Sequence, residues 1–387
     1  MYNAFRIAAR RAGSALMLVP AVMLMSAHAD DDDGHTSGST ATAYHSSVIA
    51  EGLAHPWSLA FLPDGRMLVT ERTGHLRLID PEDGLRDAPV SGVPAVFASG
   101  QAGLKEVVLA PDFADTGELY LSYACGTARA NGLCLARARW QDDALEDVQT
   151  LFSARPTKRG DAHYGGRIAF LPDDTLVLTL GDGFDYREAA QDPGSHLGKT
   201  VRLNRDGSIP ANNPFVGHDD VLPEIYTLGH RNVQGIVFDE RTQRLYAHEH
   251  GPRGGDELNL LEPGKNYGWP LVTHGKDYTG ARITPYTTLP GFEPPLVGWT
   301  PSIAPAGMTQ YHGDLFPEWE GNLLVAALAG KRVHRVVLDE EGARDVEALF
   351  ADINARFRDV RTGPDGAVYL LTDSPNGRLL RITPDQP

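Results

Sequence analysis

Apolar residues in this chain fall into short alternating runs broken by Pro-Asp, Asp-Gly or similar turn pairs. The clearest copy is Trp57 to Thr70, where an apolar stretch meets Pro63-Asp64-Gly65 and resumes as Met67-Leu68-Val69-Thr70. The same strand, turn and strand return at Val107 to Tyr123 around Pro111-Asp112, and at Arg167 to Leu180 around Pro172-Asp173. Further copies run from Gly235 to His248 around Asp239-Glu240, from Met308 to Leu328 around Phe316-Pro317, and from Val360 to Thr372 around Pro364-Asp365-Gly366. Two-residue alternation across such turns predicts β-hairpins. The copies recur roughly every 57 residues, too far apart for a solenoid of small repeats but suited to propeller blades with inserted loops. The pattern predicts an all-β, six-bladed β-propeller over residues 48–387, with a pair of β-sandwiches as the competing arrangement.

The longest stretches outside the repeats, about 185 to 225 and 250 to 305, are dense in Gly, Pro, Asn and His. Such loops carry function on a rigid scaffold, and in a propeller they collect at one mouth of the channel. The chemistry is expected there.

Upstream, residues 1–29 combine a basic start (Arg6, Arg10, Arg11), an apolar run through Leu16 to Met25 and a small-residue exit at Ala27-His28-Ala29. This is the pattern of an export signal cleaved near Ala29, giving a periplasmic or secreted product; the apolar run is short for the alternative, an anchor helix. Residues 30–47, opening with Asp30-Asp31-Asp32-Asp33, have little to bury and read as a solvated tail, with metal binding as the sharper alternative. No later apolar run is long enough to span a bilayer. A net charge of −16 repels phosphate backbones and argues against a nucleic acid partner. Cys125 and Cys134 are spaced for a disulfide stapling a hairpin in an exported protein, with free thiols as the alternative, and do not suit a zinc site.

Candidate chemistry sits at the entrances of the repeats. His163, in Ala162-His163-Tyr164-Gly165-Gly166-Arg167, precedes the third repeat, and imidazole is the side chain best suited to take an alcohol proton near neutrality. Arg231 and Asn232 open the fourth repeat as a fixed cation beside a neutral donor. Arg356 and Arg358 precede the sixth, two residues apart and so on one side of an extended strand. Any one of these arginines alone reads as a surface ion pair; three converging at repeat entrances suggest an anionic ligand. Gly251-Pro252 can turn carbonyls toward a cation, and Asp256, Glu257 and Asp277 follow as carboxylates.

Taken in order, Gln101-Ala102-Gly103-Leu104, His163 to Arg167, Gly229-His230-Arg231-Asn232, His250-Gly251-Pro252, Trp299 with Pro301 to Pro305, and Arg356 to Val360 resemble the soluble PQQ-dependent sugar dehydrogenases, in particular their aldose sugar dehydrogenase branch. The resemblance spans about residues 48 to 382 and implies a six-bladed propeller with pyrroloquinoline quinone (PQQ) across the channel mouth. It makes His163 the base for the anomeric hydroxyl of an aldose, with hydride passing to the quinone and the lactone as product. It makes Arg231 the stabiliser of charge on the quinone oxygen and Asn232 a cofactor ligand. Arg356 and Arg358 match residues that pair with cofactor carboxylates, and Gln101 matches one that touches the sugar. The carbonyls of Gly251 and Pro252 would hold a catalytic calcium ion; Glu257, Tyr267 and Asp277 would hold a second, structural one. Ala162 stands where the glucose-specific branch has an aspartate, which implies weaker discrimination among aldoses. Ala329 stands where some relatives present a lysine to the cofactor, so either Lys331 reaches over or one cation is missing.

The resulting expectation is a periplasmic quinoprotein, monomer or homodimer, that oxidises aldose sugars and passes electrons to an unidentified acceptor. A calcium-dependent propeller lactonase and a non-catalytic binding propeller are the competing readings.

Overall fold

The computed structural model describes residues 43–385; the expected leader, 1–29, and residues 30–42 of the expected tail lie outside that range. Six four-stranded antiparallel sheets make up the described chain. Their first strands are Pro56–Phe61, Leu104–Leu109, Gly165–Phe170, Val233–Asp239, Pro305–Gln310 and Phe357–Thr362, which head blades 1 to 6. Each of these strands packs beside its counterparts in the two neighbouring blades, so together they form the inner ring of a six-bladed propeller. In every blade the first and second strands are the hairpin that the sequence repeat predicts.

Alternation explains how the ring coheres. Along blade 1, Leu68, Leu76 and Leu78 point into a cluster shared with blade 2, while Met67, Val69 and Ile79 point into a cluster shared with blade 6. One such apolar cluster lies between every pair of adjacent blades. A fully buried aliphatic side chain contributes about 1.5–3 kcal/mol by removal from water. Every blade therefore depends on both neighbours for its burial.

Blade 6 is composite. Its inner three strands come from the C-terminal end, Phe357–Thr362, Val368–Thr372 and Gly377–Pro384, and its outer strand is Tyr44–Leu53 from the other end of the described chain. The two ends pair antiparallel from Tyr44 opposite Pro384 to Leu53 opposite Gly377. Residues 44–47, which composition assigned to the solvated tail, belong to this strand. Main-chain pairing does not require apolar side chains, so Ser46 and Ser47 fit an outer strand; Tyr44 also packs edge-on against Phe350, ring centres 4.8 Å apart. Cys125 and Cys134 form a disulfide across the second and third strands of blade 2, with Cα atoms 5.9 Å apart. No helix of the described residues is long and apolar enough to cross a membrane.

Removal of residues 1–53 should expose both the Gly377–Pro384 edge and the blade 1–6 cluster. Thermal unfolding of that truncated protein is expected to begin well below the full-length transition and to lose cooperativity. An unchanged single transition would show that the seam is dispensable.

Candidate functional site

Strand direction decides which loops meet. In each blade the start of the first strand, the end of the second, the start of the third and the end of the fourth lie on one rim. The links 99–103, 160–164, 229–232, 301–304 and 354–356 and the turns 181–198, 250–255 and 373–376 therefore share that rim. One long insertion, 262–296, leaves from the opposite rim, where the third strand of blade 4 (Asp256–Leu261) ends. It climbs the outer edge of blade 3: Leu228 donates to Lys265, Tyr267 donates to Leu228, and Trp269 donates to Gly229. That climb delivers Trp269, Asp277 and Tyr278 to the functional rim.

His163 is buried, with 4% of its surface exposed. Its Nδ1 lies 2.7 Å from Asp182 Oδ1, and the other carboxylate oxygen accepts from Trp269 Nε1 at 2.8 Å. A carboxylate accepts only, so Nδ1 carries the proton and Nε2 is left with its lone pair. The backbone of His163 is left-handed, φ +50°, and is pinned by its N–H to Gln101 Oε1 at 2.9 Å and by its carbonyl to Gly183 N at 3.2 Å. Gly181 permits this, because a Cβ there would sit 2.4 Å from the His163 main chain. Burial lowers the imidazole pKa, opposed by the Asp182 bond and reinforced by the charge of Arg231. The histidine is held neutral and ready to accept.

Arg231 and Asn232 diverge. The Arg231 Nη1 donates to the carbonyls of Gly251 at 2.7 Å and His250 at 3.1 Å, and its guanidinium lies between Trp269 and Tyr278. Asn232 Oδ1 accepts from Gly165 N and Gln234 Nε2, each at 3.2 Å. The two residues face two cavities. One, about 330 Å³, is walled by Arg231, Pro252, Phe184, Trp269, Asp277 and Tyr278. The other, about 250 Å³, is walled among others by Gln101, Asn232, Arg356 and Arg358. His163 touches a wall of each, packing T-shaped on Phe184 with ring centres 5.0 Å apart and bonding Gln101 through its main-chain N–H.

The second cavity is cationic. Arg72, Lys105, Arg356 and Arg358 face it, and Asp373 is its one carboxylate. Arg356 and Arg358 both reach that carboxylate, at 3.2 and 3.4 Å, and Arg358 Nε is buried without a partner. A cavity with this excess of positive charge fits a compact polyanion.

A family described as Glucose / Sorbosone dehydrogenase matches residues 53–381. The chain belongs to that family. Aldose sugar dehydrogenase YliI of Escherichia coli (strain K12) is 42% identical over 345 residues, covering 87% of this chain and 92% of YliI. The crystal structure of the soluble aldose sugar dehydrogenase from Escherichia coli in its apo form matches with a TM-score of 0.85 at 41% identity, covering 88% of this chain and 99% of that one. The PQQ-bound form of aldose sugar dehydrogenase from Streptomyces coelicolor matches with a TM-score of 0.70 at 31% identity, covering 88% and 99%. As a member of the glucose/sorbosone dehydrogenase family, the chain is an oxidoreductase.

The residues expected to bind metal in this dehydrogenase are not all brought together. The carbonyl of Gly251 points at a cation, but that cation is Arg231. Glu257 and Tyr267 line a void of about 10 Å³ that Gly251, Arg231 and Glu249 also wall, the room of one water or small ion. Asp277 lies elsewhere, on the 330 Å³ cavity, where it accepts from the Thr279 N–H and hydroxyl. Asp256 is committed to holding loops, accepting from Gly251 N, Ser302 Oγ, Ile303 N and Ala304 N. Among the described residues no three His, Cys, Asp or Glu side chains converge on one metal position. The sequence reading missed Asp182, Trp269, Arg72, Lys105 and Asp373; the Gly-Asp-Gly at 181–183, at the end of a blade's second strand, was the available signal for the first.

Burial, and then the charge of Glu249, push the Glu257 carboxyl from 4.5 to about 8. Between those values the native protein binds the extra proton, so in chelator this group makes stability fall as pH rises from about 4.5 to about 8. Glu257→Gln should remove that part of the slope in denaturant titrations at several pH values. An unaltered slope would place the effect elsewhere.

Proposed function

We propose that this protein is a PQQ-dependent aldose sugar dehydrogenase that oxidises the C1 hydroxyl of an aldose to the lactone. The observation that carries the reading is a neutral His163, oriented by Asp182, between a cation-lined cavity and Arg231. Support comes from the family membership and from the PQQ-bound Streptomyces coelicolor relative.

His163 Nε2 takes the hydroxyl proton as hydride leaves C1, so proton and electron pair depart to different places. Asp182 keeps the proton on Nδ1 and stabilises the imidazolium that forms. Bound PQQ supplies the two-electron acceptor for that hydride. Arg356, Arg358 and Asn232 would hold its polar edges, and Arg231 would face negative charge developing on its reacting carbonyl. A calcium ion would add Lewis acidity there, held by the carbonyls of Gly251 and Pro252 once Arg231 releases the first. A second ion, beside Glu257 and the Tyr267 main chain, would be structural; Asp277 would have to swing in to join them. Gln101 would meet the sugar through its amide nitrogen, because its Oε1 is engaged by His163. An exported, periplasmic enzyme handing electrons to a separate acceptor completes the reading.

Purified apoprotein given PQQ and calcium should reduce a redox dye with aldoses, and omission of either addition should abolish turnover. His163→Ala should remove turnover while PQQ uptake persists; near-wild-type turnover would refute the assignment of the base. Asp182→Asn should lower kcat on the order of 10³–10⁴-fold by letting the wrong imidazole nitrogen carry the proton. In wild type, kcat/KM should fall on the acid side with a midpoint below the ordinary histidine value of 6.5, since the active form is the neutral one.

A further inference from the structure

Lys105 lies in the innermost strand of blade 2, Leu104–Leu109, with only 4% of its surface exposed. Its Nζ donates to the main-chain oxygen of Gln101 and lies 5.3 Å from the centre of the Trp57 ring and 5.7 Å from that of Tyr164. The charges that bear on it are those of Arg358, Arg72, Arg167 and Lys158, all cations, and burial drives its pKa well below the lysine range. Among the described residues it has no carboxylate partner. Yet it forms part of the wall of the 250 Å³ cavity, beside Arg72, Arg356 and Arg358. Burial among cations disfavours the protonated form of this amine in the empty protein, and an anion entering the cavity favours it.

On blade 5 the corresponding wall is bare. Ala329 has no charge to offer, and the exposed Lys331 points its ammonium to Asn354 Oδ1 at 3.1 Å and is not part of the cavity wall. We propose that Lys105 binds a carboxylate of the cofactor, supplying from blade 2 a cation that blade 5 does not provide. This rests on the PQQ reading above. A purely structural role, tying the Gln101 loop to its strand, is the alternative.

The two roles predict opposite behaviour of the empty protein. If Lys105 waits for an anion, Lys105→Met should leave the unfolding temperature of metal- and quinone-free protein unchanged or higher. The same variant should weaken PQQ uptake, followed by quenching of tryptophan fluorescence in calcium, by roughly tenfold or more. The rise in unfolding temperature on adding PQQ should shrink, and excess PQQ should restore kcat with the aldose KM unchanged. Lys331→Met should bind PQQ as wild type does. Wild-type affinity in Lys105→Met, or a lower unfolding temperature of the empty variant with its PQQ-induced rise intact, would overturn the proposal. Wild-type protein that takes up no PQQ would overturn the cofactor reading along with it.

Discussion

The pairing of Tyr44–Leu53 with Gly377–Pro384 is the interaction on which the cavity depends. It fixes blade 1 against blade 6, and the cationic cavity straddles that seam. His55, Trp57 and Arg72 come from the blade 1 side, and Arg356, Arg358 and Asp373 from the blade 6 side. A main-chain bond, His55 N to Ser374 O at 2.9 Å, crosses directly between their rim loops. Small drift at the seam would separate charges that line one cavity. Backbone hydrogen bonds suit this task because they set spacing without regard to side-chain identity.

Beneath the cavity, positive charge is treated differently. Arg167 is as buried as Lys105, but it ion-pairs with Glu106 and Asp359, each at 3.1 Å, and stacks 3.9 Å from the centre of the Trp57 ring. Arg361 shares the same two carboxylates. The channel floor is thus neutralised within the protein and links blades 2, 3 and 6, whereas the wall above it carries charge in excess. In a chain of net charge −16 this separation concentrates attraction for an anion at one place.

The repeat was legible because each inner hairpin buries both faces between neighbours, so apolar residues and turn pairs recur with the blades. His163, Arg231, Asn232, Arg356 and Arg358 were legible for a related reason: each sits at or beside the link leading into an inner strand, a position that repeats. Asp182, Trp269 and Asp373 were not, since they come from turns after second strands and from an insertion whose path no periodicity describes. The start of the outer strand at Tyr44 escaped notice because an edge strand paired through its main chain needs no apolar alternation. Asp277 shows the limit of spacing as a guide: sequence distance from Glu257 carries no information about which cavity a loop tip will reach. Lys105 was hidden inside a strand, where a lysine ordinarily reads as solvent-facing.

The path of insertion 262–296 has a consequence for how such an enzyme can diversify. Both of its ends are anchored at the far rim, and it rises along the outside of blade 3 before its tip joins the wall of the 330 Å³ cavity. Its tip can lengthen, shorten or exchange side chains without any change in blade count, ring radius or the position of His163. The shape of that cavity is thereby uncoupled from the ring of blades, and one propeller can carry many different tips.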